Sequence, residues 1–442
     1  MRLHPSGVPA LLVALSLSAA SPAIPAGGAA ASGGGSGSAT AALEASSDPV
    51  APLGPPGDTA PPAPGARTLV AALNGFGWDL YRELAAEGGN VCVAPLAVAE
   101  TLAMVHAGAA GGTRDELGRA LGLPYGGDEL AGAWRDLKRA LPNPLVLEDT
   151  AAVFLVASLW HQRGIPLRRK YLEGEERTFG PSVFPAAFRG SVLGASKAME
   201  SWILRVTGVR MGGIVPYRPG PGTVMVLVSS LSFTGLWREA FPEDGIRRGF
   251  FRLGEERHVE VGFQRRAGMY RYMEDGAGQA VEIPYRRGRY TMTVLLGAGG
   301  GDGDLAALER DASPEALERR LRGLSWRHVE LELPEFRLTG KSMSLKGPLE
   351  ALGVKTAFTA RADLSGMARP GELRISDVFH KVYVQVDEDG DTGPPDGGGA
   401  IAGSPPLPPA SFRADRPFMF FIRDIVTDGF LAMGRVSDPR DR

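Results

Sequence analysis

Residues 224–233 (VMVLVSSLSF) form a long, mainly apolar run without a charged side chain. A run of this length and composition is typical of a strand in the middle of a β-sheet. The segment therefore predicts a central strand, and the rest of the fold has to be built around it.

The beginning of the chain has a different pattern. Apolar side chains recur at helical intervals in residues 68–86 and 96–105, and the second of these helices is predicted to end at Gly108. Thr113, followed three positions later by Glu116, matches a capping box and predicts the start of a third helix.

Strand patterns dominate the later part of the chain. They occur in residues 281–284, 290–296, 329–333, 382–386, 418–422 and 430–433. The first two flank a turn at residues 286–288 and predict a hairpin, as do the last two. Helices early and strands late predict an α+β fold with large antiparallel sheets.

Composition excludes several classes of function. The chain has 442 residues, 44% of them apolar, so it can bury a large core, and its formal charge of −2 gives no general attraction to nucleic acid or anionic membranes. Cys92 is the only cysteine, so no intrachain disulfide can form, and its apolar neighbours predict a buried, unreactive thiol. The six histidines lack metal-binding spacing, and we expect neither a metal nor a cofactor.

The N-terminus has the pattern of an export signal. A short apolar run at residues 8–20 follows Arg2, and small residues come after it, which predicts a signal peptide over residues 1–26. Residues 27–66 are rich in Ala, Gly, Ser and Pro and predict a disordered linker. The predicted location is extracellular or periplasmic.

No catalytic motif is present. The sequence lacks the GxSxG nucleophile elbow and the SxxK pattern. Residues 340–342 (GKS) match the end of a phosphate-binding loop, but Glu335 occupies the position of its required upstream glycine. We therefore expect no enzymatic activity.

Nine segments, in order along the chain, resemble motifs of the serpins, the serine protease inhibitor family. They are residues 90–98 (NVCVAPLAV), 108–113 (GAAGGT), 202–214 (WILRVTGVRMGGI), 233–237 (FTGLW), 333–336 (LPEF), 362–366 (ADLSG), 376–381 (SDVFHK), 412–418 (FRADRPF) and 434–436 (GRV). Each segment constrains several positions independently, so the combined resemblance over residues 67–439 is specific.

The resemblance implies a serpin domain over residues 67–439, with helices packed on three mainly antiparallel or mixed sheets. It places an exposed reactive-centre loop in the Gly- and Pro-rich stretch between Asp387 and Pro417. In such a protein, a serine or cysteine endopeptidase cleaves the loop and becomes acylated by it. The loop then inserts into a sheet as an additional strand and traps the enzyme. A monomer is expected.

The resemblance also identifies residues that control opening of the sheet. It places Ala94, Ala97, Ser229, Trp237 and His380 in the family's shutter and breach regions. The two alanines replace family serines and Ser229 replaces an asparagine. We expect His380 to be a structural, hydrogen-bonded histidine.

The hinge of the loop departs from the family pattern of Glu-Gly-Thr followed by alanines. The corresponding residues are Gly390, Asp391, Thr392, Gly393, Pro394 and Pro395. The two prolines have no N–H to donate to a central strand, and Asp391 would carry a charge towards the sheet interior in some registers. Two hypotheses therefore stay open: a suicide-substrate inhibitor, or a non-inhibitory serpin acting as a binding protein or cleavable substrate.

The cleaved bond is not fixed by the sequence. The candidate residues are Ile401, Ala402, Gly403 and Ser404. Bonds beside Pro405 and Pro406 are poor protease substrates. The small side chains suggest an elastase-like or subtilisin-like target, and the lack of Arg and Lys between Asp391 and Ser411 disfavours a trypsin-like one.

Overall fold

The computed structural model describes residues 62–141, 151–207, 213–214, 222–242, 245–254, 256–299, 304–311, 313–338, 342–386 and 408–440, with only the backbone of residues 151 and 152. All of them belong to one compact unit, residues 49–442. The predicted signal peptide lies outside the described residues, as does the predicted linker up to residue 61.

The described helices are mostly in the first half of the chain. They are α1 (Pro64–Ala85), α2 (Pro95–Gly108), α3 (Gly111–Ala120), α4 (Gly127–Ala140), α5 (Arg169–Phe179), α6 (Val192–Thr207), α7 (Asp304–Asp311), α8 (Pro314–Gly323) and α9 (Lys346–Ala351). None of the helices in the described part of the chain has the length and apolar content that crossing a bilayer requires.

Each of the seven predicted strands coincides with a described strand, and eight further described strands were not predicted. They are β1 (Val91–Val93), β2 (Ala151–Gln162), β3 (Val183–Ala186), β4 (Met225–Gly235), β5 (Arg247–Arg252), β6 (His258–Asp275), β7 (Gly278–Pro284), β8 (Tyr290–Gly297), β9 (Ser325–Pro334), β10 (Phe336–Leu338), β11 (Met343–Ser344), β12 (Asp377–Val386), β13 (Ala410–Arg413), β14 (Phe418–Asp424) and β15 (Gly429–Val436). Both predicted hairpins are confirmed, as β7–β8 and β14–β15.

The described strands pair into two sheets. The larger has nine strands in the order β1-β15-β14-β8-β7-β6-β9-β13, with β5 also on β6. The long strand β6 pairs with β5 near its start and with β7 at its end. Two of the three sheets implied by the resemblance are therefore joined into one continuous sheet. The smaller sheet has six strands in the order β10-β12-β4-β2-β3, with β11 on β12.

Strand β4 is covered on both faces along most of its length, which explains its uncharged run. Alternate side chains of β4, such as Met225 and Leu227, pack into the main core beneath the sheet. Val226 and Val228 point the other way, into a second cluster with Met199 and Ile203 of α6. A strand that is buried on both faces has no position that could hold a charge at low cost.

The capping box predicted at Thr113 is wrong. Helix α3 begins two residues earlier, and its N-cap is Ala110, which provides no side-chain cap. The Thr113 hydroxyl instead accepts the N–H of Asp363. The Glu116 carboxylate accepts the backbone N–H groups of Lys355 and Thr356. The motif residues therefore connect distant segments rather than capping their own helix.

A buried carboxyl group lies between α2, α4 and α5. Glu175 of α5 is 2% exposed, and its Oε2 has no hydrogen-bond partner among the described residues. Burial, with a contribution from the nearby carboxylate of Glu100, raises the pKa of Glu175 to about 9. Glu100 itself pairs with Lys138 at 2.8 Å. Glu175 is therefore protonated at neutral pH in the folded protein. Because the same side chain is ionised in the unfolded chain, folding requires it to take up a proton, which lowers stability at neutral pH.

We expect Glu175→Gln to raise the free energy of unfolding by about 2–4 kcal/mol at about pH 7.5 and by much less at about pH 4.5. The folded-state pKa lies above the unfolded value of about 4.3, so the wild-type side chain lowers stability progressively as pH rises between the two values. Denaturant unfolding at both pH values measures this. Glu176→Gln, at an exposed neighbouring position, is the control. An equal gain at both pH values would contradict the assignment.

Candidate functional site at the β4–β12 ladder

The centre of the six-stranded sheet contains a parallel pair of strands. β4 and β12 pair directly over eight residue pairs, from Val226 opposite Asp377 to Phe233 opposite Val384. On its other side β4 pairs antiparallel with β2, and β12 pairs antiparallel with β10 and β11. Within the described strands, the β4–β12 ladder is thus a parallel pair whose other neighbours, β2 on one side and β10 with β11 on the other, are antiparallel to it.

His380 lies in the middle of this ladder, directly opposite Ser229. Both are completely buried. The Nδ1 atom of His380 is 2.8 Å from the Ser229 hydroxyl oxygen, and its Nε2 accepts the backbone N–H of Ala94 at 3.0 Å. One imidazole ring therefore connects the two strands of the ladder to the start of α2, where Ala94 is the N-cap residue.

The protonation of His380 follows from these partners. Burial lowers the pKa of His380 to about 3, although a hydrogen bond with the backbone of Ser229 opposes the shift. A neutral imidazole has one N–H, and because Nε2 accepts from Ala94, that proton is on Nδ1 and is donated to Ser229. The Ser229 hydroxyl in turn donates to the carbonyl of Phe379 at 3.4 Å.

The two alanines named from the sequence contribute differently. Ala94 contacts His380 through its backbone N–H, not through its side chain. Ala97 is fully buried in the core, and its methyl group can neither donate nor accept a hydrogen bond. A backbone donor leaves no residue-type signal, so the role of Ala94 could not be found by comparing side chains.

Trp237 lies just beyond the end of the ladder. Its indole stacks on the ring of Tyr285 at 4.4 Å with an angle of 11° between the planes, and the two residues also form an isolated β-bridge. Phe233, the last ladder residue of β4, meets the same tyrosine edge-on at 4.9 Å. Gly235 allows this packing, because a Cβ there would lie 2.7 Å from the Tyr285 ring.

Tyr285 was missed by sequence reasoning. Its only signal was an aromatic residue immediately before the turn at residues 286–288. The stack joins the end of β4 to the end of β7, and so connects the six-stranded sheet to the nine-stranded one.

The predicted loop residues lie outside the described part of the chain. These are the hinge residues Gly390, Asp391, Thr392, Gly393, Pro394 and Pro395 and the candidate bond residues Ile401, Ala402, Gly403 and Ser404. Their two attachment points are described. β12 ends at Val386, paired with Phe336 of β10, and the chain returns in β13, which pairs in parallel with β9.

The described residues contain no group of three or more His, Cys, Asp or Glu side chains that could hold a metal ion. Cys92 is buried, and burial raises the pKa of its thiol well above the usual value. The thiol is therefore protonated and unreactive at neutral pH.

We expect acid to weaken the fold through His380. Its folded-state pKa lies below the unfolded value of about 6.5, so stability is full above that pH and is lost as pH falls towards 3, by about 2 kcal/mol at pH 5. His380→Asn should be less stable at pH 7 but should lose less stability between pH 7 and 5.

Denaturant unfolding at the two pH values measures this difference. The control is His328→Asn at an exposed position, which should retain the full wild-type acid dependence. His106 and His161, whose burial also lowers their pKa values, remain in both variants. The assignment fails if His380→Asn and wild type lose the same stability.

Comparison with known proteins agrees with this geometry. A family model described as serpin (serine protease inhibitor) matches residues 71–439. A serpin-like protein of Thermococcus kodakarensis is 31% identical over 379 residues, which cover 85% of this chain and 87% of that protein. The leukocyte elastase inhibitor of Bos taurus is 30% identical over 388 residues, covering 84% of this chain and 99% of the relative.

Solved structures show the same architecture. The crystal structure of maspin matches with a TM-score of 0.78 at 22% identity, covering 85% of this chain and 100% of maspin. The fold implied by the sequence motifs is therefore confirmed. The chain belongs to the serpin family.

Proposed function

We propose that this protein inhibits a serine endopeptidase as a suicide substrate, with the chain between β12 and β13 as its bait. The observation that carries the proposal is the β4–β12 ladder. It leaves two parallel strands as direct neighbours in the centre of a sheet, at the position where an additional strand would be antiparallel to both.

The direction of the chain makes such insertion geometrically simple. The segment that follows β12 has to reverse at Val386 to enter the sheet, and it then runs antiparallel to β12. Since β12 and β4 are parallel, the inserted segment is antiparallel to β4 as well. The segment 387–409 has 23 residues, and an extended residue spans roughly 3.3 Å. The segment is therefore long enough to follow the whole eight-residue ladder.

Insertion also has a physical driving force. One parallel ladder is replaced by two antiparallel ladders, which are slightly more stable per residue. Each added hydrogen bond contributes on the order of 1 kcal/mol, and alternate side chains of the new strand become buried. The closed sheet is then a higher-energy state that cleavage of the loop allows to relax.

The residues of the site determine how easily the sheet opens. A strand that enters from the Phe233–Val384 end passes the Trp237–Tyr285 stack before it reaches the middle of the ladder. There it has to separate Ser229 from His380. The buried hydrogen bonds at this point oppose opening until the new strand supplies replacements.

The choice of target rests on the sequence of the loop and on the family. Small residues at positions 401–404 favour an elastase-like or subtilisin-like enzyme. A relative named as an elastase inhibitor supports the same class. We also propose that the protein acts as a monomer outside the cytoplasm, since residues 1–26 have the pattern of an export signal.

A second candidate function is that of a non-inhibitory serpin. It is favoured by Pro394 and Pro395, each of which removes a donor from the inserted strand, and by the charge of Asp391. In that case the loop serves as a binding segment or as a cleavable substrate, and the protease is released after cleavage.

We expect purified protein mixed with pancreatic elastase or subtilisin to form a covalent complex that survives SDS. The complex forms because insertion distorts the protease before the acyl-enzyme is hydrolysed. Gel electrophoresis detects it, and mass spectrometry of the released peptide identifies the cleaved bond. Cleavage without any complex, and without a rise in the thermal stability of the cleaved chain, would reject the inhibitory proposal.

We expect the double substitution Pro394→Ala and Pro395→Ala to increase the fraction of cleavage events that end in a complex, by about 3-fold or more. Restoring two N–H donors removes about 1 kcal/mol or more from the barrier to insertion at each position. The measurement is the ratio of complex to cleaved chain. The matched control is Pro408→Ala and Pro409→Ala, which lies next to β13 beyond the hinge and should leave the ratio unchanged.

A further inference from the structure

A second feature of the six-stranded sheet lies at the opposite end from Trp237. Where β4 and β12 begin, a cleft of about 440 Å³ is lined by three arginines from three separate segments: Arg163 after β2, Arg189 after β3 and Arg374 before β12. The cleft also contains Glu372.

The first two arginines are held in a fixed relation by one buried side chain. The Oε1 of Gln162 accepts the backbone N–H of Arg189 at 3.0 Å, and its Nε2 donates to the carbonyl of Arg163 at 2.7 Å. The N–H of Arg163 donates to the carbonyl of Ala186 at 2.7 Å. The turns that follow β2 and β3 therefore form one unit, and Arg163 and Arg189 both line the cleft.

The third arginine belongs to the other side of the β4–β12 ladder. The Nη2 of Arg374 donates to the carbonyl of Gly222 at 3.1 Å. Two residues later, the Ser376 hydroxyl accepts the N–H of Val224 at 3.0 Å, and the N–H of Ser376 donates to the carbonyl of Met225 at 2.8 Å. The cleft thus spans the place where the segment before β12 meets the segment before β4.

The charge of the cleft is unbalanced. Within the described part of the chain, no ion pair joins Arg163, Arg189 or Arg374 to a carboxylate. Glu372 is the single acid in the lining, and its Oε2 accepts the backbone N–H of Arg369 at 3.3 Å. Other arginines of the molecule, such as Arg289 and Arg423, form close ion pairs with acids.

We propose that this cleft binds a free inorganic oxyanion of the phosphate type, which holds the origins of β4 and β12 together. Guanidinium groups donate two parallel N–H bonds to such an ion, and three of them can surround its oxygens. The ion joins Arg374 to the unit of Arg163 and Arg189, and thus connects the two sides of the ladder. The proposal does not depend on inhibition, since it concerns the uncleaved chain.

Thermal unfolding of the uncleaved protein tests the binding. Inorganic phosphate at about 10 mM should raise the midpoint temperature of unfolding by about 2–4 °C, compared with the midpoint in sodium chloride of equal ionic strength. The double variant R163A/R189A should lose this rise and still fold, because both side chains are exposed. The matched control R114A/R119A, in another cleft lined by arginines, should keep it.

The proposal is overturned if wild type shows no phosphate-specific rise, or if the control variant loses it equally. Hydrogen exchange supplies a second measurement on unaltered protein. Phosphate should slow exchange at least 3-fold at the amides of Val224 and Ser376, which join the two segments. A midpoint rise without slower exchange at these amides would place the ion elsewhere and reject the site.

Discussion

The structure depends on the parallel pairing of β4 with β12. β4 is buried on both faces, by the main core on one side and by the cluster under α6 on the other, whereas β12 is buried mainly on the face towards the main core. Their remaining edges are occupied by β2 and by β10 with β11. A shift in register by one residue would turn the charged side chains of β12, Asp377 and Lys381, towards the core. The two strands can gain a new partner between them only by separating.

His380 gives this pairing its polar component. The fully buried imidazole forms a hydrogen bond with Ala94 through one nitrogen and with Ser229 through the other. One neutral side chain thus links β12, β4 and the start of α2. The same low pKa that keeps it neutral also means that protonation inside the folded sheet is unfavourable. Opening of the ladder between Ser229 and His380 would break their buried hydrogen bond, so the histidine opposes opening as well as stabilising the closed state.

The sequence predicted the parts of the fold that local patterns encode. The uncharged run of β4 and the two hairpins followed from composition and alternation, and the order of motifs identified the family. Contacts between distant segments were not predictable in this way. Thr113 and Glu116 matched a local cap but bind residues about 240 positions away. Glu175 gave no sign that helices α2, α4 and α5 would bury it, and the N–H of Ala94 has no side-chain signature.

The two prolines of the hinge are expected to affect the rate of loop insertion, whereas the ladder determines its equilibrium free energy. Replacing one eight-pair ladder by two adds several hydrogen bonds, whereas Pro394 and Pro395 together remove two donors. If insertion occurs as proposed, the inserted state is therefore expected to be favourable at equilibrium even with both prolines. Inhibition as proposed here depends on a race between insertion and hydrolysis of the acyl-enzyme, in which the hinge residues would enter the sheet first. A deficit of about 2 kcal/mol at that early stage would slow insertion roughly 30-fold while leaving its end point unchanged. In the proposed mechanism the fold and the hinge thus control separate properties: the β4–β12 ladder supplies the driving force for insertion, and residues 390–395 decide whether insertion is fast enough to trap the protease.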